Sequence, residues 1–361
     1  MGADLVYAGR ARPAGGWGRR RGGTSYRDVY AALDLGTNNC RLLIARPAPE
    51  GFRVIDAFSR IVRLGEGIVA SGQLSEPAIA RTIEALRVCA SKMRRRHVTR
   101  ARAVATEACR RAGNCQIFIE RVERETGLAL EIIPAREEAE LALIGCAPLF
   151  DPAIPNALVF DIGGGSTEVA WLELGEERAG PAGGRGPGAQ GRALASLPFG
   201  VGTLAERYGA ATGEPARFAP AVDEVYDALA PFRAETQLEP RVAAGEVQML
   251  GTSGTVTTLT GVHLGLPRYD RSQVDGATLE FCTIEGVTDR ILAMTLEGRA
   301  QHPCIGQERA DLVAAGCAIL KAICRSWPVG RLTVADRGVR EGILFNLLRR
   351  QSRPQSFTVG S

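Results

Sequence analysis

The stretch Asp34-Leu35-Gly36-Thr37-Asn38-Asn39, in its longer form DLGTNNCRLLIA (34–45), decides the fold once it is set beside DIGGGSTEVAWL (161–172). Both read as an Asp at the end of an apolar strand, a Gly-rich turn, and a second apolar strand. The strands are expected at 29–35 and 40–46 around the first turn, and at 157–162 and 167–174 around the second. One supersecondary unit recurring at whole-domain spacing marks an internal duplication. The chain is therefore expected to be α/β, with two related domains, 29–150 and 151–337.

Outward from the first turn, a third strand is expected at 52–63, which makes a meander rather than a βαβ opening. Helices are expected at 76–96, 116–125 and, just after Pro134, 136–146, with strands at 101–105 and 130–133 between them. In the second half a helical pattern at 216–236 is interrupted by Pro220 and Pro231. A strand at 247–250, the turn GTSGT and a helix at 256–264 follow, then a long apolar helix at 311–327 and a strand at 331–335. The closing helix, 338–350, is free to pack on the first domain. Residues 175–192, rich in Gly, Pro and Arg, read as a flexible hairpin insertion without catalytic importance, and 1–28 and 351–361 as disordered tails.

Composition fits this reading. A chain of 361 residues has room for two cores, and 45% hydrophobic with 23% charged residues is the balance of a soluble globular protein. No apolar run approaches the roughly 20 residues that cross a bilayer, and none of signal-peptide length follows Arg19 to Arg21. The nine cysteines form no CxxC pair, and His97, His263 and His302 lack ligand spacing. Free thiols in a reducing cytoplasm, rather than a disulfide framework or zinc site, are expected. The net charge of +4 equals the balance of the first 28 residues alone, six arginines against Asp4 and Asp28. That tail reads as a solvated extension or, alternatively, as a basic arm that gathers polyphosphate or RNA.

The two Asp-Gly turns carry the chemistry. Glycine lets backbone N–H groups approach a phosphate closely, so Gly36, Thr37, Asn38 and Asn39 are expected to bind one phosphoryl group. Gly163, Gly164, Gly165, Ser166 and Thr167 would bind a second. Asp34 and Asp161 would repel an anion directly and make sense beside a hard cation such as Mg²⁺; one isolated Asp would be read as capping its own turn, but two in duplicate favour the cation. There is no GxxxxGK[ST], and GGGS in a strand-turn-strand setting is not a dinucleotide fingerprint.

With DLGTNN and VFDIGGGSTEVA, the segments ATEACRRAGN, REEAELALIGC, LPFGVGTLAE, GTSGTVTTL and DRGVREGIL occur in the order seen in exopolyphosphatases and guanosine-pentaphosphate phosphohydrolases. The chain resembles that family over roughly 29–348. The resemblance implies a duplicated actin-like (ribonuclease H-like) fold with the active site between the domains. It also implies that Glu138, in REEAEL, is the catalytic base, where composition alone would read only a helix-initiating acid. By the same resemblance Arg110 contacts phosphate, Ser253, Gly254 and Thr255 form a third phosphate-facing turn, and Glu168 positions metal or water. Read without it, these are a helix-surface arginine, a helix cap and a structural hydrogen-bonding group. DLGTNN departs from the family's usual DLGSNS, which alters the local phosphate contact. Longer members carry a further helical C-terminal region, so processive degradation of very long chains is not implied.

The expected enzyme is a cytoplasmic, Mg²⁺-assisted hydrolase releasing terminal orthophosphate from polyphosphate, with no membrane partner and with homodimerisation admitted. Guanosine pentaphosphate is the alternative substrate on the same residues. A sugar or acid kinase, and a non-catalytic actin-like sensor of a phosphate ligand, are the competing readings.

Overall fold

The computed structural model describes residues 28–49, 51–179, 185–209, 212 and 214–352. β1 (Tyr30–Leu35), β2 (Asn39–Ala48) and β3 (Gly51–Ile61) run antiparallel, while β4 (Arg100–Ala105) and β5 (Glu131–Ile132) join in parallel on the other side of β1. The second sheet contains β6 (Asn156–Ile162), β7 (Thr167–Ala179), β8 (Arg185–Leu197), β9 (Val247–Thr252), β10 (Thr278–Glu280) and β11 (Arg331–Ala335). Its order, β10-β11-β9-β6-β7-β8, repeats the β5-β4-β1-β2-β3 order of the first sheet, with β10 added as an antiparallel edge. The directions repeat too: β6 pairs antiparallel with β7 and parallel with β9, as β1 does with β2 and β4. This repeat is the duplicated actin-like α/β fold that the two Asp-Gly turns announce.

Each sheet is buried on both faces, largely under helices whose apolar spacing follows the helical period. Helix Glu76–Arg95 presents Ile79, Ile83, Leu86 and Ala90 to the first core, and it is capped by Ser75, whose side chain accepts from Ala78 N. Helix Val313–Ser326 is buried along most of its length in the second core, beside Trp327. The closing helix Val339–Ser352 returns to the first sheet, where Ile343, Leu344 and Phe345 pack with Tyr30, Leu43 and Phe52. It crosses helix Ala135–Cys146 with backbones in contact. A Cβ on Gly342 would lie 2.0 Å from the Leu141 carbonyl oxygen, and one on Gly145 2.2 Å from that of Gly338. These glycines are needed for that close approach.

The two halves are also joined across their interface. Arg63 donates to both carboxylate oxygens of Asp311 at 2.9 Å, and Gly67 N donates to Glu206 Oε1 at 3.0 Å. No helix among the described residues is long and apolar enough to cross a membrane.

Several expectations differ from the structure. Pro220 lies inside helix Pro215–Ala228 without ending it, early enough that only an N-terminal carbonyl loses its partner. Pro231 sits in the first turn of the next helix, Ala230–Thr236, where its missing N–H is harmless. The low-complexity segment forms the outer parts of β7 and β8, with 180–184 outside the described residues. Helix Phe281–Ala293 is additional to the expected elements. Of the expected tails, Asp28, Gln351 and Ser352 are described, the last two continuing the closing helix, and the rest lie outside the described residues.

Candidate active site

The C-terminal ends of β1 and β6 deliver the two turns to one cleft between the halves. In the first turn Gly36 N donates to Asn39 O at 2.9 Å, and in the second Gly163 N donates to Ser166 O at the same 2.9 Å. The duplication thus extends to the turns' own hydrogen bonds. Each turn is braced from outside. Val62 N bonds Asn38 O at 2.8 Å and Gly65 N bonds Thr37 O at 3.0 Å, while Val201 N and Gly202 N bond the carbonyls of Gly163 and Gly164 at 2.9 and 2.8 Å. The FGVG segment is therefore the seat of the second turn.

Glycine is dictated here by space. A Cβ on Gly164 would lie 2.8 Å from Asn38 Cγ, one on Gly165 2.7 Å from Thr37 Oγ1, and one on Gly200 2.4 Å from the backbone of Gly164 and Gly165. The two turns accordingly meet face to face, and their N–H groups form a surface suited to adjacent phosphoryl groups.

The third wall is the start of helix Gly254–His263. Ser253 holds the strained backbone angles φ 132 and ψ 170, a region almost exclusive to glycine, and its hydroxyl accepts from Thr255 N at 3.2 Å. Such strain persists only where surrounding structure enforces it, and it clusters at functional sites. The helix N-terminus adds a positive dipole end to the cleft.

Glu138 stands in the first turn of helix Ala135–Cys146, where Pro134 precedes it and supplies no competing N–H. Its Oε2 accepts from Arg110 Nη1 at 2.8 Å, and the same guanidinium bonds Glu107 Oε2 and the Ile133 carbonyl. Burial, reinforced by neighbouring Glu168 and opposed by Arg110, pushes the Glu138 carboxyl up to about 8. Asp161 is pushed up to about 7, chiefly by burial and then by Glu168, and burial also raises Asp34. A buried carboxyl held near neutrality is poised to exchange a proton at ordinary pH.

Two further arginines line the cleft. Arg41 follows the first turn on β2, and Arg309 reaches in beside Gly254, donating to Thr258 Oγ1 at 3.0 Å. Neither forms an ion pair with a described residue, and burial with the nearby Arg41 lowers the pKa of Arg309. Arg41 faces Asp34 across the strand pair and draws on Asp34 and Asp161 without an ion pair, so both guanidiniums keep donors free of ion pairs with described residues, a lining complementary to a polyanion.

The expected residues of the three turns line this cleft together with Asp34, Asp161 and Glu138. Three others do not. Thr167 is fully buried and spends its hydroxyl on the Phe199 carbonyl at 2.6 Å. Glu168 accepts from Ser196 Oγ at 2.9 Å behind the turn, close enough to act on Glu138 and Asp161. Arg110 is committed to Glu107 and Glu138 and supports the cleft's acid from outside its lining. Arg41, Thr258 and Arg309 were not among the expected site residues: Arg41 and Thr258 lie in DLGTNNCRLLIA and GTSGTVTTL but beyond the turns themselves, and Arg309 lies in none of the quoted segments. Among the described residues no three Asp, Glu, His or Cys side chains are gathered as a metal cage. Asp34 and Asp161 are buried carboxyls at the cleft that would suit a Mg²⁺ ion, since a cation would favour the charged forms that burial disfavours.

The fold, with its cleft between two related halves, is that of the duplicated actin-like class. Residues 43–351 match the Ppx/GppA phosphatase family, and the chain belongs to it, which makes it a phosphoanhydride hydrolase. It is 30% identical to exopolyphosphatase 2 of Mycobacterium tuberculosis, across 88% of this chain and 98% of that one. It is 29% identical to guanosine-5'-triphosphate,3'-diphosphate pyrophosphatase of Photobacterium profundum, across 89% of this chain but 59% of that longer protein. The crystal structure of the Aquifex aeolicus family member superposes with a TM-score of 0.71 at 28% identity, covering 90% of this chain and 99% of that one.

Proposed function

We propose that the chain is an exopolyphosphatase that releases terminal orthophosphate from inorganic polyphosphate. The observation that carries this reading is the meeting of Glu138 with both glycine turns in one cleft. The turn amides, Arg41 and Arg309 hold the terminal anhydride, and Glu138 takes a proton from the attacking water. The water oxygen bonds to the terminal phosphorus as the bond to the bridging oxygen breaks, and the shortened chain leaves with that electron pair. Arg110 keeps the Glu138 carboxyl aimed and Glu107 keeps Arg110 in place. Asp34 and Asp161 are the residues that would hold Mg²⁺, which when bound neutralises charge on phosphoryl oxygens.

Hydrolysis of guanosine pentaphosphate at its 5' end is the second reading, favoured by the named activity of the Photobacterium relative. The lining of amides, hydroxyls and arginines reads phosphate rather than a base, which favours polyphosphate. Purified protein and Glu138→Gln, offered each substrate separately with Mg²⁺, decide between them through orthophosphate release. Loss of release in the variant supports Glu138 as base, and the faster substrate assigns the activity. A folded wild-type protein that turns over neither substrate refutes the proposal.

A further inference from the structure

The sequence between Glu84 and Glu107 contains no acidic residue and carries seven cations, Arg87, Lys92, Arg94, Arg95, Arg96, Arg100 and Arg102. Most of this run occupies the end of helix Glu76–Arg95, the turn after it and the beginning of β4. Part of it is matched locally: Lys92 and Arg96 share Asp56, Arg87 pairs with Glu125, and Arg102 pairs with Glu131 and Glu137. Arg94, Arg95 and Arg100 are exposed and form no ion pair with a described residue. A helix C-terminus is served by one or two cations. Three more, unmatched and adjacent to exposed His97, repel one another and leave a strongly positive face. Arg94, His97 and Arg100 border a groove whose floor includes Met93 and Leu128.

The strand β4 relates this face to the cleft. It starts at Arg100 and ends at Ala105, next to Thr106 in the cleft lining, so six residues of strand, about 20 Å, separate the two. We infer that this face is a second docking site for the polyphosphate chain, holding a segment remote from the end being cleaved. The inference rests on the polyphosphate reading above. Guanidinium forks match phosphate oxygens in pairs, and a repeating polyanion with one end in the cleft is long enough to reach both places. Two-point attachment raises the local concentration of chain ends at the cleft without altering the chemical step.

The test uses the full chain and the triple variant Arg94→Gln/Arg95→Gln/Arg100→Gln, with long-chain polyphosphate and tetrapolyphosphate as probes. The expected result is a KM for long-chain polyphosphate raised about tenfold, a shallower dependence of that KM on salt, and unchanged kcat. Kinetics on tetrapolyphosphate, too short to span the two places, stay the same. An unchanged KM for long chains overturns the inference while leaving the activity assigned. If the wild-type protein hydrolyses neither probe, the activity reading fails, and binding of long-chain polyphosphate to wild type and triple variant decides the docking site separately. Loss of binding to a single-stranded RNA oligomer with polyphosphate unaffected also overturns it, and gives the face to RNA.

Discussion

Replacing Glu138 by Gln is expected to stabilise the protein while abolishing its activity, and the stabilisation has a defined pH dependence. The Glu138 carboxyl is raised from 4.5 to about 8, first by burial and then by Glu168, with Arg110 opposing. A carboxyl whose folded pKa lies above its unfolded value favours folding fully below pH 4.5, where both states are protonated. That contribution falls as pH rises, because only the unfolded chain can then shed the proton freely, and it levels off above about 8. At roughly 1.4 kcal/mol per pKa unit, the upper bound is about 3 kcal/mol at pH 7 and about 5 kcal/mol above pH 8. Gln resembles the protonated acid and keeps an oxygen for Arg110 Nη1, so it escapes most of this penalty. Imperfect replacement of the acid's hydroxyl by an amide leaves an expected gain of about 1–3 kcal/mol at pH 7. Thermal unfolding of both proteins at pH 4.5, 7 and 8.5, without phosphate or metal, should give midpoints that coincide at the lowest pH and separate by several degrees at the highest. Orthophosphate release should fall at least 100-fold in the variant. A variant that is less stable at pH 8.5, or a difference independent of pH, would refute the argument that burial governs this carboxyl.

Three other outcomes follow from the geometry. Gly200→Ala needs no unusual backbone angle, yet its methyl would lie 2.4 Å from the Gly164–Gly165 backbone. It should destabilise by about 1–3 kcal/mol in denaturant titration and lower kcat/KM more than tenfold by displacing the second turn. Arg271→Met strips fully buried Glu341 of its 2.8 Å partner, and a loss of about 3 kcal/mol is expected at pH 7. Burial would raise the Glu341 pKa, against which Arg340 and Arg271 now hold it down, so without Arg271 the loss should shrink as pH falls and the acid is protonated. Chelation of divalent cations should stop phosphate release while leaving the circular dichroism spectrum unchanged, with activity restored by added Mg²⁺.

The fold was legible because its deciding feature is local and occurs twice. Asp34-Leu35-Gly36 and Asp161-Ile162-Gly163 each need a strand end, a tight turn and a return strand, and the pairings Leu35–Cys40 and Ile162–Thr167 close both turns in the same register. The cations of the cleft were less legible. Arg309 comes from a loop far along the chain from Gly254, just before helix Val313–Ser326, and meets that turn only through the tertiary fold, where it donates to Thr258 Oγ1. Motif position placed Arg110 and Glu168 in the site but could not reveal that Glu107 and Ser196 occupy their polar groups. Thr167 fails for a simpler reason: it is the first residue of β7, fully buried with its hydroxyl donated to the Phe199 carbonyl, whereas Ser166, still in the turn, lines the cleft.

The arrangement of charge gives the cleft its chemical direction. Asp161 and Glu138 are held protonated in part by Glu168 and Asp34, while Arg41 and Arg309 form no ion pair with a described residue. Folding alone would have done better to pair these opposite charges, as it does at Arg337–Asp275 and Arg271–Glu341. Arg41 lies across the strand pair from Asp34 and draws on Asp34 and Asp161 without closing an ion pair, so the buried carboxyls keep a surplus of charge that a cation would relieve, and Arg41 and Arg309 keep donors that a phosphate chain would engage. A metal-bound polyanion would answer both, whereas a neutral ligand would answer neither. The strain at Ser253 and the close contacts of Gly164, Gly165 and Gly200 then acquire a common cause: they fix the N–H groups of the turns that line the cleft.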